Sequence, residues 1–268
     1  MDVRGKVVLI TGGAGGIGKS LARRFLAGGA VVVLWDINAQ SLASAKKDLT
    51  SAGGKVFTHA LDISDRAAVD EAAKRVRSEA GDVDILDNNA GIVAGGDFLE
   101  VSEDSLSRTI SVNVNAVIWC TRAFLPSMVA KGSGHIIMMA SAAGLLGVPG
   151  MAAYSASKHA VIGLAESLRL ELRKKGAHGV KMTIVCPSFV NTGMFDGVKP
   201  PLLTPWLEPE ELTGKIYEAV LAGRLYVREP FMVKLIPALK GLPSTAAIDW
   251  LGRILGMDAS MDHWTGRR

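Results

Sequence analysis

Tyr154 and Lys158 stand four residues apart in the stretch Tyr-Ser-Ala-Ser-Lys, and Ser141 lies thirteen residues upstream, where an apolar run ends. On a helix, residues at i and i+4 share a face, so this spacing sets an ammonium beside a phenol. A phenol titrates near ~10 and is a poor base at neutral pH. A fixed neighbouring cation favours the phenolate, so Lys158 is expected to lower the Tyr154 pKa and make it a general acid/base. The same spacing also arises in helices with no chemistry, so its meaning depends on what surrounds it.

Elements able to position such a trio are legible along the chain. Apolar runs at Val7 to Ile10, Val31 to Trp35, Lys55 to Ala60, Val83 to Leu86, His135 to Ala140, Val180 to Val185 and Leu225 to Val227 read as strands. Helical patterns separate them at about Gly16 to Ala27, Ala39 to Ala52, Arg66 to Ala80, Glu103 to Met128 and Ala153 to Lys174. Near-continuous Val/Ile/Leu strands alternating with amphipathic helices predict a predominantly parallel sheet buried on both faces. The expectation is one α/β domain over residues 1–268, doubly wound and Rossmann-like, with seven strands. Between Ser188 and Pro209 four prolines fall among Met194, Phe195, Leu202, Leu203 and Trp206, just after a strand end where such sheets bind ligands. That insertion predicts a mobile apolar lid over the substrate.

Composition narrows the function classes. The 268 residues are 49% hydrophobic with 30 glycines, which fits a glycine-rich α/β protein and excludes a disordered chain. Thirty Lys/Arg against 26 Asp/Glu give a formal net charge of +4, but no run of five bases marks a nucleic-acid-binding stripe. Cys120 and Cys186 have no CxxC spacing, and the five histidines are dispersed, so neither a disulfide scaffold nor a metal site is expected. Met1 to Lys6 run straight into the first strand, and no apolar stretch reaches ~18 residues. A cytoplasmic protein is expected, with peripheral membrane contact left open.

A hydride carrier has its own signal. Thr11-Gly-Gly-Ala-Gly-Gly-Ile-Gly18 follows the first strand and opens the first helix, with Gly12, Gly16 and Gly18 in GxxxGxG spacing. Glycine permits a tight turn and a close approach to a pyrophosphate, which then meets the free N–H groups of the helix start. Asp36 ends the second strand, where its carboxylate can accept from a ribose hydroxyl. It would repel the extra phosphate of NADP, with no Arg or Lys immediately after it, so NAD is favoured over NADP. Strand termination and helix capping remain the alternative reading of Asp36. Asp62, after the third strand, carries the same ambiguity and can hydrogen-bond adenine.

These pieces, with Asn88-Asn89-Ala90-Gly91, Asn113 and Pro187 to Thr192, resemble the short-chain dehydrogenase/reductase superfamily over nearly the whole length. The resemblance implies a catalytic set of Asn113, Ser141, Tyr154 and Lys158. Tyr154 would exchange a proton with the substrate oxygen, and Lys158 would lower the tyrosine pKa and bind the nicotinamide ribose. Ser141 would hold the substrate oxygen, while Asn113 would hold a water linking Lys158 to solvent. It also implies coenzyme contacts from Gly12, Gly15, Gly16, Ile17, Gly18, Asp36, Asp62, Ile63, Asn89, Ala90, Gly91, Tyr154, Lys158, Pro187, Val190 and Thr192. The stretches Val33 to Asn38, Gly81 to Leu86, Ala140 to Gly144, Cys186 to Thr192 and Leu207 to Glu211 look closest to 17-beta-hydroxysteroid dehydrogenases of types 11 and 13 and related retinol dehydrogenases. That subgroup typically begins with a hydrophobic anchor, and none is expected here because Met1 to Lys6 run directly into a strand. Three further departures are Ser188 and Ala116 at positions usually glycine, and Asp87 where an apolar residue is usual. A carboxylate in a buried strand costs free energy unless it is partnered.

Leu145, Leu146, Val148, Met151, Met194, Phe195, Leu202, Leu203 and Trp206 form the expected pocket wall, of which Leu146, Met151, Met194 and Trp206 join Ser141 and Tyr154 as substrate contacts. With no arginine among them, a lipophilic secondary alcohol or ketone, such as a steroid, retinoid or long-chain alcohol, is the expected substrate. A 3-oxoacyl thioester reductase and a non-catalytic nucleotide-binding protein at a lipid surface are the alternatives. Over residues 230–268 Phe231, Met232, Val233, Leu235, Ile236, Ile248, Trp250, Leu251, Ile254 and Leu255 recur at helical spacing, which suits a core, a subunit interface or an interfacial membrane helix. The resemblance implies a homodimer or homotetramer.

Overall fold

Strand and helix alternate through a computed structural model that describes residues 1–51, 53–241, 244–257 and 259–266, with 245–249 described by their backbone alone. The strands are β1 (Val7–Thr11), β2 (Val31–Asp36), β3 (Val56–Ala60), β4 (Ile85–Asn88), β5 (Gly134–Met139), β6 (Val180–Pro187) and β7 (Tyr226–Glu229). They form a single sheet in the order β3-β2-β1-β4-β5-β6-β7. Every pairing in it is parallel. The order reverses between β1 and β4, which opens a crevice at the carboxyl ends of those strands.

Period-two alternation along β1 decides which layer each residue joins. Leu9 packs with Val33, Trp35, Leu86, Ile136 and Met138 under α3 (Arg66–Glu79), α5 (Ala116–Lys131) and α6 (Ala152–Lys174). Val8 and Ile10 pack with Val32, Leu34, Ile85 and Ile137 under α1 (Gly16–Ala27), α2 (Ala39–Thr50) and α7 (Pro209–Ala222). Both layers bury large side chains fully, Trp35 and Phe124 on one side and Phe25 on the other, each contributing about 1.5–3 kcal/mol of transfer free energy. Asp87 breaks this pattern. It pairs with Ile10 and Ile137, is fully buried, and neither carboxylate oxygen has a hydrogen-bond partner among the described residues. Burial raises its pKa well above 3.8 and favours the neutral acid.

Several expected boundaries shift. The fourth strand lies at Ile85–Asn88, because Asp84 turns its carboxylate toward the Val7 amide and toward Lys6 and Lys131. The second helix ends at Thr50, and Ala52 lies outside the described residues. The helix expected from Glu103 to Met128 is interrupted: α4 (Glu103–Ile110) meets α5 through one π turn at Ser111–Asn115. Beyond β7, α8 (Phe231–Gly241) and α9 (Thr245–Ile254) carry the apolar C-terminal pattern. Val233 is buried in the core, whereas Phe231 (64% exposed) and Trp250 (63%) face outward with Leu235, Leu251 and Ile254. A core role is therefore excluded for these exposed residues, while Val233 and Ile236 pack on the sheet; the side chain of Ile248 lies outside the described residues.

Candidate active site

At the crevice between β1 and β4, the chain leaves β1 through Gly12, whose φ of +64° is a left-handed conformation that favours glycine. The Gly15 N–H donates to the Gly12 carbonyl at 3.1 Å and closes the turn. A Cβ on Gly18 would lie 2.4 Å from that same carbonyl oxygen, and one on Gly16 would lie 3.0 Å from the Thr192 methyl. Helices α2, α3 and α4 are each capped by a side chain, from Asn38, Asp65 and Ser102. Helix α1 has no side-chain cap and no acid in its first turn. Among the described residues its opening N–H groups at the crevice have no side-chain cap, and a coenzyme diphosphate fits there.

Thr11 fixes the loop, which sequence reasoning did not foresee. Its hydroxyl donates to the Asp87 carbonyl at 3.2 Å and accepts from the Asn89 and Ala90 amides, each at 3.1 Å. The Asn89 side chain, expected to touch coenzyme, donates to the Thr11 and Gly12 carbonyls at 2.9 and 3.3 Å. It shapes the cradle. Gly91 lies beside the catalytic candidates, since a Cβ there would sit 3.3 Å from both Asn113 Oδ1 and Lys158 Nζ.

The Asp36 carboxylate accepts from the Ala14 amide at 3.2 Å and the Asn38 amide at 3.1 Å, which ties the end of β2 to the glycine loop. Among the described residues no Lys or Arg pairs with it. Asp62 accepts from the Ser64 amide and hydroxyl at 2.9 and 2.7 Å and pairs with Arg108 at 2.7 Å. These partners outweigh its burial and lower its pKa. The side chain is engaged by protein on both oxygens, and Ile63 next to it is buried in the sheet's core layer.

Tyr154, Lys158, Ser141 and Asn113 converge at the carboxyl ends of β4 and β5. Lys158 Nζ lies 5.6 Å from the Tyr154 ring centre and donates to the Met139 carbonyl at 2.8 Å. Ser141 accepts from the Ala143 amide at 3.1 Å and donates to the Pro187 carbonyl at 3.4 Å. The π turn points Asn113 inward: its amide donates to the Ile92 carbonyl at 2.9 Å and to the Ser157 hydroxyl at 3.0 Å, and its oxygen accepts from the Ile92 amide at 2.9 Å. Ser157 in turn donates to the Tyr154 carbonyl at 2.7 Å. A helix-period reading of the sequence gives no signal for that extra residue in the turn.

One expectation is corrected. The Tyr154 pKa is not lowered by Lys158; burial pushes it up to about 12, against a smaller opposite pull from the Ser141 hydroxyl. Burial also brings Lys158 down to about 8. Both ionised forms lose hydration, and that loss exceeds what the pair returns to each other at this separation.

The substrate side is apolar and partly different from the expected wall. Met151, Phe189, Phe195, Val198 and Val93 form one buried cluster with Tyr154, and Val148 and Met194 pack against it. Phe195 meets the tyrosine ring edge-on at 6.1 Å and Phe189 at 5.2 Å, and Trp206 packs against Phe189 at 6.0 Å. Leu202 and Leu203 are exposed, Leu145 packs into the sheet's core, and Leu146 is half-buried outside the cluster. These four do not wall the tyrosine. Val190 is buried and bridges to Leu207, and the Thr192 amide donates back to the Val190 carbonyl at 2.9 Å. Pro187 closes β6 beside Ser141. The sequence reading omitted Phe189, whose role depends on contacts with residues far along the chain.

Comparison with known proteins identifies the family. A family described as short chain dehydrogenase matches residues 6–202. Epidermal retinol dehydrogenase 2 of Mus musculus is 40% identical over 270 residues, covering 100% of this chain and 87% of that protein. Estradiol 17-beta-dehydrogenase 11 of Homo sapiens is 40% identical over 241 residues, covering 89% of this chain and 79% of its own length. A short chain dehydrogenase/reductase from Burkholderia phymatum in complex with NAD superposes with a TM-score of 0.81 at 31% identity, covering 88% of this chain and 93% of its own. A metagenomic short-chain oxidoreductase in complex with NADP gives 0.71 at 32% identity, covering 85% and 96%.

Proposed function

This chain belongs to the short-chain dehydrogenase family and is an oxidoreductase, and from that premise we propose that it moves a hydride between NAD and a lipophilic secondary alcohol or ketone. The observation that carries the substrate class is the apolar cluster packed around Tyr154, built from Val93, Met151, Phe189, Phe195 and Val198. Such a wall gains from excluding water and offers nothing to grip a phosphate or carboxylate. Relatives named for retinol and estradiol support the same class. NAD is favoured by the Asp36 carboxylate, which suits a ribose hydroxyl and would meet a 2′-phosphate with no described cation to offset the repulsion.

A bound nicotinamide coenzyme supplies or accepts the hydride. Gly12, Gly16, Gly18 and the start of α1 would hold its diphosphate, and Asp36 its adenine-side ribose. The Tyr154 hydroxyl handles the proton. Its pKa of about 12 keeps it protonated at neutral pH, which suits donation to a carbonyl oxygen as the ketone is reduced. Ser141, held by the Ala143 amide and the Pro187 carbonyl, presents its hydroxyl oxygen beside the tyrosine and orients the substrate oxygen. Lys158 is cationic below its pKa of about 8 and would hydrogen-bond the nicotinamide ribose. Asn113 and Ser157 anchor the turn of α6 that carries Tyr154.

A substrate panel read by NADH absorbance tests the proposal. Turnover of steroids, retinoids or long-chain alcohols in preference to small sugars is expected; preference for small polar sugars overturns it. The exposed stripe of Phe231, Leu235, Trp250, Leu251 and Ile254 supports a second element of the reading, peripheral contact with a lipid surface. Flotation with anionic liposomes checks it, and absence of binding removes it.

A further inference from the structure

Tyr154 retains 5% of its surface, so the residues packed around it control access to its hydroxyl. Part of what covers that region comes from the far end of the chain. After α9 the backbone returns across the substrate side, and Met261, 8% exposed, joins the buried cluster of Tyr154, Met151, Phe189 and Phe195, with Trp264 packed against its edge. We propose that residues 259–266 form the outer wall of the substrate site and that Met261 and Trp264 determine which alcohols and ketones reach Tyr154. This rests on the proposed activity and adds a specificity determinant to it.

Three independent features show that the return is built into the fold. Backbone bonds fasten it: Lys199 N–H donates to the Ser260 carbonyl at 3.2 Å, and Thr265 N–H donates to the Asp196 carbonyl at 2.8 Å. The Trp264 indole donates to the Met194 carbonyl at 3.1 Å, so both ends of the contact land on the apolar insertion after β6. Glycines clear the path. A Cβ on Gly95 would lie 2.8 Å from the Trp264 ring and 3.1 Å from the Met261 methyl. One on Gly197 would lie 1.9 Å from the His263 carbonyl, and one on Gly150 would lie 3.1 Å from Met261 Cβ. Met261 is flexible and unbranched, so it fills the space above the tyrosine yet yields to a ligand with little strain. Trp264, pinned by its indole bond, sets how far it can yield.

The test compares catalytic efficiency for a small cyclic alcohol and a sterol, with NAD saturating, in the full-length enzyme. Met261→Ala and Trp264→Ala should each raise the sterol-to-cyclohexanol ratio of kcat/KM by about tenfold, the scale on which an apolar pocket discriminates size. Met261→Trp should lower it by a similar factor, and the KM for NAD should stay within about twofold in all three. Gly95→Ala, whose methyl would press on the Trp264 ring and the Met261 methyl, should act in the direction of Trp264→Ala by displacing the indole. An active wild type whose ratio is unmoved by all four substitutions overturns the assignment of this wall. An absence of turnover with every lipophilic substrate overturns the proposed activity, and this inference with it.

Discussion

The two sides of the cleft are built on opposite principles. On the coenzyme side, shape is fixed by polar groups that satisfy one another: Thr11, Asn89 and the Gly12 and Asp87 carbonyls form a closed set, and glycine at 12, 16 and 18 keeps the backbone close. On the substrate side, Tyr154 sits among Met151, Phe189, Phe195 and Met261, held mainly by edge-on rings and apolar packing. Hydrogen bonds are directional and fix one geometry, whereas apolar contacts tolerate repacking at low cost. A fold can therefore keep one coenzyme and vary what it acts on by changing only the second side.

The largest test of this contrast sits where the two sides meet. Tyr154→Phe should lower kcat by about 10²–10⁴-fold for every substrate, the range of a lost general acid/base, while coenzyme binding measured by NADH fluorescence stays intact. Retained turnover would break the assignment of the proton donor. Gly18→Ala probes the coenzyme side alone. The added methyl meets the Gly12 carbonyl at 2.4 Å and must displace backbone, so turnover should fall about a hundredfold uniformly across a substrate series. A loss confined to bulky substrates would contradict the division.

Asp87 is the exception among these satisfied polar groups, and Asp87→Leu should stabilise the fold by about 1–3 kcal/mol in urea unfolding. The sign with pH follows from the raised pKa. Below 3.8 both folded and unfolded chains hold the proton. Above that value the unfolded chain releases it while the folded chain does not, so stability falls as pH rises toward the folded value. The gain from leucine should accordingly be larger at about pH 7 than at about pH 4; an equal gain would show that the carboxyl ionises in place. The smallest effect is expected at Asp36. Asp36→Ser should reduce the NAD-to-NADP ratio of kcat/KM by roughly tenfold, the value of one hydrogen bond to a charged group. An unchanged ratio would remove Asp36 from coenzyme selection.

What was legible in the sequence divides along the same line. The glycine turn, the parallel strands and the Tyr154 to Lys158 spacing are local patterns, and a local pattern is what hydrophobic periodicity and glycine placement report. Asn113 could be named as a candidate but not explained, since the π turn that aims it leaves no periodic mark. The sign of the Tyr154 shift depended on burial, which no spacing of charges reveals. Phe189, Met261 and Trp264 reach the tyrosine only through contacts between segments distant in sequence, and the apolar stripe from Phe231 to Leu255 drew attention to helices that mostly face outward.

The strand order has a consequence for how the chain comes into being. Val8 in the centre of the sheet takes Val32 on one side but must wait for Ile85 on the other. A pairing between segments so far apart closes a longer loop than β1 with β2 and slows assembly. During synthesis β1, β2 and β3 can associate early with an unsatisfied edge on β1, and that edge stays open until β4 emerges. Conditions that delay β4 at the ribosome should therefore expose a hydrophobic parallel edge to other nascent chains, and yield in the cell should depend on chaperone supply more than on the stability of the finished protein.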